Sequence, residues 1–214
     1  MIHILYEDES ILVCEKPAGV ATQSANIRET DMVSCVKEHL GGGYVGIIHR
    51  LDQPVSGLLV FAKTPEAAAS LSKQVQGSGM CKEYTATVEG LLPETSGPVT
   101  LADYLIRLPD GRASVVSEGT KDRHGRTAKK AILTYEVLSC DSAAKTSTLR
   151  IRLRTGRFHQ IRAQLSHLGH PVLGDVKYGA KKPAARHPAA GIALCASSLS
   201  FTHPSDGRKL CFTL

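Results

Sequence analysis

Two apolar runs, Tyr44 to Ile48 and Leu58 to Ala62, flank a short polar stretch, His49-Arg50-Leu51-Asp52-Gln53-Pro54-Val55-Ser56-Gly57. Apolar runs of this length, bounded by Pro and Gly, read as strands. The pattern therefore predicts two strands joined by a tight connection that carries one carboxylate among basic neighbours. A cation beside a carboxylate favours its ionised form. Taken alone, Asp52 is open to two readings: a solvated turn acid or a catalytic group.

The alternation continues downstream. Between Met80 and Gly90, Tyr84, Ala86 and Val88 fall on one face and Glu83, Thr85, Thr87 and Glu89 on the other, which predicts a half-buried strand with Tyr84 inward. Ala131 to Leu138 and Thr148 to Arg154 read as further strands. In the second, Arg150, Arg152 and Arg154 line one face, open either to a phosphate-gripping row or to an ordinary wet face. Ile2 to Tyr6 and Ile11 to Cys14 predict a hairpin around Glu7-Asp8-Glu9-Ser10. Ile192 to Phe201 and Lys209 to Leu214 predict closing strands.

Three helices are expected. Thr30 is the N-cap candidate for the first, with Val33, Val36, Lys37 and Leu40 at helical spacing and Gly41-Gly42-Gly43 as its stop. Thr64-Pro65-Glu66 starts the second, with Ala67, Leu71 and Val75 as its buried stripe and Gly77-Ser78-Gly79 after it. The third follows Thr155-Gly156-Arg157-Phe158-His159-Gln160-Ile161-Arg162, with Ile161, Leu165 and Leu168 as its stripe. Arg157 falls at the strand-to-helix junction. Residues 91–128 are rich in Pro, Gly and polar groups. Only Pro109-Asp110-Gly111 stands out there, as a hairpin turn.

Charge is divided unevenly. Residues 1–100 hold 7 Lys/Arg and 12 Asp/Glu, whereas residues 101–214 hold 19 and 8, so the second half is the expected polyanion-facing part. Lys121, Arg123, Arg126, Lys129 and Lys130 cluster within it, and Lys177, Lys181, Lys182 and Arg186 lie in a Pro/Ala-rich segment. None of the six cysteines forms a C-x-x-C pair, which argues against a zinc knuckle. His167 and His170 are spaced as a metal pair without a third ligand, so no metal site is expected. No signal peptide or membrane span is visible, and a cytoplasmic protein with reduced thiols is expected. Phosphate-loop and G-x-S-x-G motifs are missing. The chemistry is left to one acid, some arginines and a tyrosine.

Several blocks together resemble the RluA family of pseudouridine synthases. They are Asp8 with Leu12-Val13-Cys14-Glu15-Lys16-Pro17-Ala18-Gly19; His49-Arg50-Leu51-Asp52 with Ser56-Gly57-Leu58-Leu59-Val60-Phe61-Ala62-Lys63; and Lys82 and Tyr84 with Ala86, Val88 and Gly90. The last comprises Thr155-Gly156-Arg157, His159-Gln160-Ile161-Arg162, Gly169-His170-Pro171, Gly174-Asp175 and Tyr178-Gly179. The resemblance implies an α+β fold with a mixed, mostly antiparallel central sheet, flanking helices and a cleft. It implies a single catalytic domain over residues 1–214, without the separate N-terminal RNA-binding domain of some relatives. The implied activity is cofactor-independent isomerisation of uridine to pseudouridine in structured RNA, ribosomal or transfer, by a monomer that needs no membrane.

Asp52 matches the family's catalytic acid, Arg157 the arginine that pairs with it, and Tyr84 the tyrosine under the target uracil. Arg50 matches the residue that fills the space left by the flipped base. His49, His159, Gln160 and Arg162 complete the expected RNA-binding set. The chain departs from the family at Gln53-Pro54-Val55, where Lys-Asp-Thr is common. It departs again at Phe158, where Thr is usual, and at Cys195, where His is common. Two rival readings are a non-catalytic RNA-binding or folding factor on the same fold, which predicts damage at Asp52, Tyr84 or Arg157, and a glycosidase, which wants a second positioned acid.

Overall fold

The computed structural model describes residues 2–26, 28–77, 79–93, 97–181 and 191–214. The elements run β1 (His3–Glu7), β2 (Ile11–Lys16), α1 (Met32–His39), β3 (Gly46–Ile47), β4 (Ser56–Ala62), α2 (Pro65–Gln76) and β5 (Cys81–Glu89). They continue with β6 (Val99–Arg107), β7 (Ala113–Val116), β8 (Lys129–Asp141), β9 (Thr146–Leu153) and α3 (Gln160–His167). A single 3-10 turn (Val176–Tyr178), β10 (Leu194–Thr202) and β11 (Lys209–Thr213) close the chain. The class is α+β, with mostly antiparallel pairing. Among the described residues no helix is long and apolar enough to cross a membrane.

The chain folds as two compact units, Met1–Glu83 with Cys195–Leu214, and Tyr84–His187 with Ile192–Leu194. In the first, β4 is the central strand. It pairs antiparallel with β2 from Ile11↔Ala62 to Lys16↔Gly57, and antiparallel with β3 at Gly46↔Ala62 and Ile47↔Phe61. It pairs parallel with β10 at Cys195↔Ser56 and Ala196↔Gly57. A strand covered on both faces must be apolar without alternation, and Leu58 to Ala62 are all buried. α2 closes one face through Ala67 and Leu71, against Ile11, Val13, Leu58, Val60, Leu199 and Phe201. Burying each such side chain contributes on the order of 2 kcal/mol.

The run Tyr44 to Ile48 yields only the two-residue β3, and Tyr44 is exposed. The β1–β2 hairpin forms as expected, because Asp8 Oδ1 accepts from the backbone N–H groups of Ser10 and Ile11 and closes the turn. Gly57 has a φ of +120°, and a Cβ there would collide with the Ala196 backbone. Glycine is thus what lets β4 meet β10.

α2 begins where the sequence places it, with Thr64 Oγ1 accepting from Ala67 N–H and Pro65 in the first turn. α1 is capped by Asp31, not Thr30. Asp31 takes Ser34 N–H at 2.7 Å with one oxygen and Ser24 N–H at 2.6 Å with the other. A carboxylate serves the two donors with separate oxygens, and aspartate is a stronger N-cap than threonine.

The second unit is the strand series β5-β9-β8-β6-β7. β5 alternates as expected, with Tyr84, Ala86 and Val88 buried. The segment that gave no strand signal supplies β6 and β7, a hairpin around Pro109-Asp110-Gly111. Burial along β6 does not alternate cleanly, so period-2 reading misses it. α3 packs through Ala163 with Leu105, Ala113, Ala131 and Tyr178. Leu168, expected in its stripe, is instead the exposed C-cap. Lys182 and Arg186 lie outside the described residues.

Candidate active site

Asp52 sits on the turn between β3 and β4, between two buried anchors, Leu51 and Val55. Thr22 fixes the approach: its Oγ1 donates to the Leu51 carbonyl at 3.0 Å and accepts from Leu51 N–H at 3.1 Å. Val55 N–H closes the turn on the Asp52 carbonyl at 3.0 Å, and Gly19 N–H donates to the Gln53 carbonyl at 2.8 Å. Lys16 is wholly buried beneath. Its Nζ donates to the carbonyls of Pro17 (2.9 Å), Val20 (2.6 Å) and Gln53 (3.1 Å). Burial pushes the Lys16 pKa down to about 8, against the pull of the Asp52 carboxylate. A cation in the core joins the 17–20 loop to the Asp52 turn, and the carboxylate side chain remains half-buried on a fixed backbone.

The two residues before Leu51 diverge. Arg50 is exposed, with Nη2 donating to Gln23 Oε1 at 2.8 Å. His49 is buried, and among the described residues neither ring nitrogen has a hydrogen-bond partner. Burial, reinforced by the nearby Lys82 cation, lowers its pKa to about 3. The imidazole is neutral and offers no charge to a phosphate.

In the second unit Tyr84 is buried on β5, with its residue 6% exposed. Arg157 lies in the loop before α3, and that loop is built around Gln160. Gln160 Oε1 accepts from Arg157 N–H at 3.0 Å and from Thr155 Oγ1 at 2.8 Å, and Gln160 N–H returns to the Arg157 carbonyl. Thr155 Oγ1 in turn accepts from Ile132 N–H. The Arg157 side chain stays exposed, held by Nε donation to the Lys130 carbonyl at 2.9 Å.

Gln160 and Arg162 are both buried. Arg162 forms a bidentate pair with Asp175, Nε to Oδ2 at 2.7 Å and Nη2 to Oδ1 at 2.8 Å, and its guanidinium lies 4.9 Å from the Tyr178 ring centroid. His159 adopts a left-handed backbone (φ 50°), and its Nδ1 meets Tyr178 Oη at 2.9 Å. Burial first, then Arg162, lowers the His159 pKa to about 3.

The structure thus directs Arg50 and Arg157 outward. It commits His49, Gln160 and Arg162 to the interior, where the motif alone suggests contacts with RNA. Lys16, Asp175 and Tyr178, known from the motifs only as spelling, prove to be the internal partners. The only sequence hint at the Lys16 position is a charge terminating the apolar run Ile11 to Cys14. His170, once a metal candidate, holds the Glu89 carbonyl through Nδ1 at 2.7 Å.

Asp52 stands on a fixed turn of the first unit, and Tyr84 on a strand and Arg157 ahead of a helix of the second; comparison with known proteins gives the class, that of RNA base-isomerising enzymes. The chain matches the RNA pseudouridylate synthase family over residues 10–167 and belongs to it. It is a pseudouridine synthase of the RluA type, an isomerase converting uridine to pseudouridine in RNA. It is 33% identical over 225 residues to ribosomal large subunit pseudouridine synthase D of Zymomonas mobilis, covering 99% of this chain and 68% of that protein. It is 32% identical over 177 residues to the mitochondrial tRNA pseudouridine(32) synthase of Saccharomyces cerevisiae, covering 83% and 37%. Its fold is shared with human RNA pseudouridylate synthase domain containing 1, with a TM-score of 0.78 at 24% identity, covering 100% of this chain and 83% of the other.

Proposed function

We propose that this enzyme isomerises particular uridines of structured ribosomal or transfer RNA, using Asp52 as its essential acid and no cofactor. The observation that carries the reading is the Asp52 turn: its backbone is fixed from three sides by Thr22, Gly19 and Lys16, and Asp52 itself is half-buried. The names of the relatives, one acting on the large ribosomal subunit and one on tRNA, supply the two substrate classes.

The reaction breaks the N1–C1′ bond, turns the uracil and joins C5 to C1′; N1 gains a proton and C5 loses one. It is redox-neutral and calls for no electron carrier. Asp52 assists glycosidic cleavage at the sugar, by attack on C1′ or by removal of a sugar proton. Arg157 is the guanidinium assigned to keep that carboxylate charged and aimed. Tyr84 packs under the uracil and takes the C5 proton. The target must first leave its stack, at a cost of about a few kcal/mol that is smaller in a loop. Arg50 fills the vacated place.

In this scheme His159 borders the RNA path, while His49, Gln160 and Arg162 act from within, by shaping the Asp52 and Arg157 loops. The chain works as a single catalytic domain, a cytoplasmic monomer. Mapping pseudouridines in total RNA from cells with and without the gene identifies the targets. Asp52→Asn should abolish the modification while leaving RNA affinity within about twofold. Full activity in that variant would overturn the assignment.

A further inference from the structure

Beside Arg157 the second unit holds a cavity of about 290 Å³ whose lining includes Arg107, Asp122, Arg126, Lys129, Arg157 and Phe158. Four cations face one acid. The acid is already engaged: Asp122 accepts from Arg126 Nε at 2.6 Å and from the backbone N–H groups of His124 (2.8 Å) and Arg126 (2.9 Å). That network closes the loop between Lys121 and Thr127, which bridge to each other. Arg126 is therefore held at the rim with most of its side chain in solvent. Lys129 is exposed at the start of β8.

The wall is a stack. The Phe158 ring lies on His159 at 3.7 Å between centroids, with an interplanar angle of 20°, and the Arg107 guanidinium lies 4.3 Å from the Phe158 centroid. Two groups that close cannot share a face, so Phe158 is sandwiched. His159 meets Tyr178 edge-on, and Tyr178 is anchored through its hydroxyl to Ala113 N–H at 2.7 Å. Arg107 and Phe158 both line the cavity, with the guanidinium held on the Phe158 ring. Guanidinium planes and aromatic faces are the surfaces on which unpaired RNA bases stack, and exposed Arg and Lys hold the phosphate.

We propose that this cavity is a second nucleotide subsite, in which a nucleotide of the substrate RNA other than the target uridine stacks its base on Arg107 while Arg126 and Lys129 hold its phosphate. The proposal rests on the reading of the chain as an RNA-modifying enzyme and adds where it tells substrates apart. Phe158 sets the plane of Arg107, so its replacement tests the base half of the subsite.

The test compares wild type, Arg126→Gln/Lys129→Gln and Phe158→Thr. One arm measures binding to a labelled 20-nucleotide RNA stem-loop across a salt series. The other measures kcat and KM on large-subunit ribosomal RNA and on bulk tRNA, both from cells lacking the gene. In the double variant KM should rise about tenfold with kcat retained, and the log–log salt slope should flatten by about 1 to 2. Phe158→Thr should weaken binding several-fold with the slope unchanged, because it removes a platform and no charge. Wild-type KM and slope in the double variant, or a fall in kcat at constant KM, would overturn the phosphate half. Wild-type affinity in Phe158→Thr would overturn the base half. A wild-type protein that makes no pseudouridine in either RNA would fail the enzyme reading instead, and the binding arm would still decide the cavity.

Discussion

The Lys16 ammonium lies 3.1 Å from the carbonyl oxygen of Gln53, the residue after Asp52, and it also serves Pro17 and Val20. Three carbonyls share one buried cation, so removing it leaves them without their donor. Lys16→Met should cost about 3 to 5 kcal/mol in urea unfolding, the range for a buried charge network that loses one member. The surviving folded fraction should turn over at least tenfold more slowly, because the Asp52 turn loses its clamp. Lys16→Arg should not restore either value, since a planar fork cannot replace a compact ammonium in a site with no solvent-exposed surface. A stable, fully active Lys16→Met protein would show that the clamp is dispensable.

Arg162 and Asp175 form the corresponding buried pair of the second unit, 5% and 1% exposed at the side chains. Asp175→Asn should destabilise by about 3 to 5 kcal/mol, because it strands a buried guanidinium. The double variant Arg162→Met/Asp175→Leu should recover much of that loss, since two apolar groups leave no charge to satisfy. Chemical denaturation of the three proteins reads this directly. If the double variant were as unstable as the single, the pair would be contributing packing that methionine and leucine cannot replace.

Gly57→Ala tests the close approach of β4 to β10. The new Cβ would meet backbone at Ala196, which cannot rotate away, and would hold alanine at a φ of +120°. About 3 kcal/mol of destabilisation is expected, seen as a lower thermal midpoint. An unchanged midpoint would mean that the two strands part at little cost.

The parts that could be read from sequence are those decided locally. Thr64-Pro65-Glu66 specifies a helix start without help from the rest of the chain, and Tyr84, Ala86 and Val88 alternate because one face of β5 is core. Asp31 caps Ser34 N–H and also takes Ser24 N–H, and that second bond is a fact of tertiary placement. β6 and β7 escape notice because their burial follows α3 packing and breaks the period. At the site, the motif spelling identifies Asp52, Tyr84 and Arg157 as candidates. Spelling cannot say that Gln160 and Arg162 face inward, since polar side chains beside a basic loop read as ligands until Thr155 and Asp175 are seen to occupy them.

His49 supplies part of the pH dependence, beside His159, which burial shifts in the same direction. The folded pKa of His49, about 3, lies below the ordinary histidine value of 6.5, with burial the main cause and Lys82 the second. Above pH 6.5 both folded and unfolded chains hold the imidazole neutral, so His49 adds no pH dependence. Between pH 6.5 and 3 the unfolded chain takes up a proton that the folded chain refuses, and stability falls as pH falls, by at most about 1.4 kcal/mol per pH unit. His49→Leu removes this contribution. Because both ring nitrogens lack partners among the described residues, the substitution should change stability at pH 7.5 by less than about 1.5 kcal/mol, as volume-conserving swaps do. Urea midpoints at pH 7.5, 6.0 and 5.0 should then decline less steeply for His49→Leu than for wild type. Parallel declines would show that the folded protein accommodates a protonated His49, and that the imidazole reaches solvent or an acid when charged.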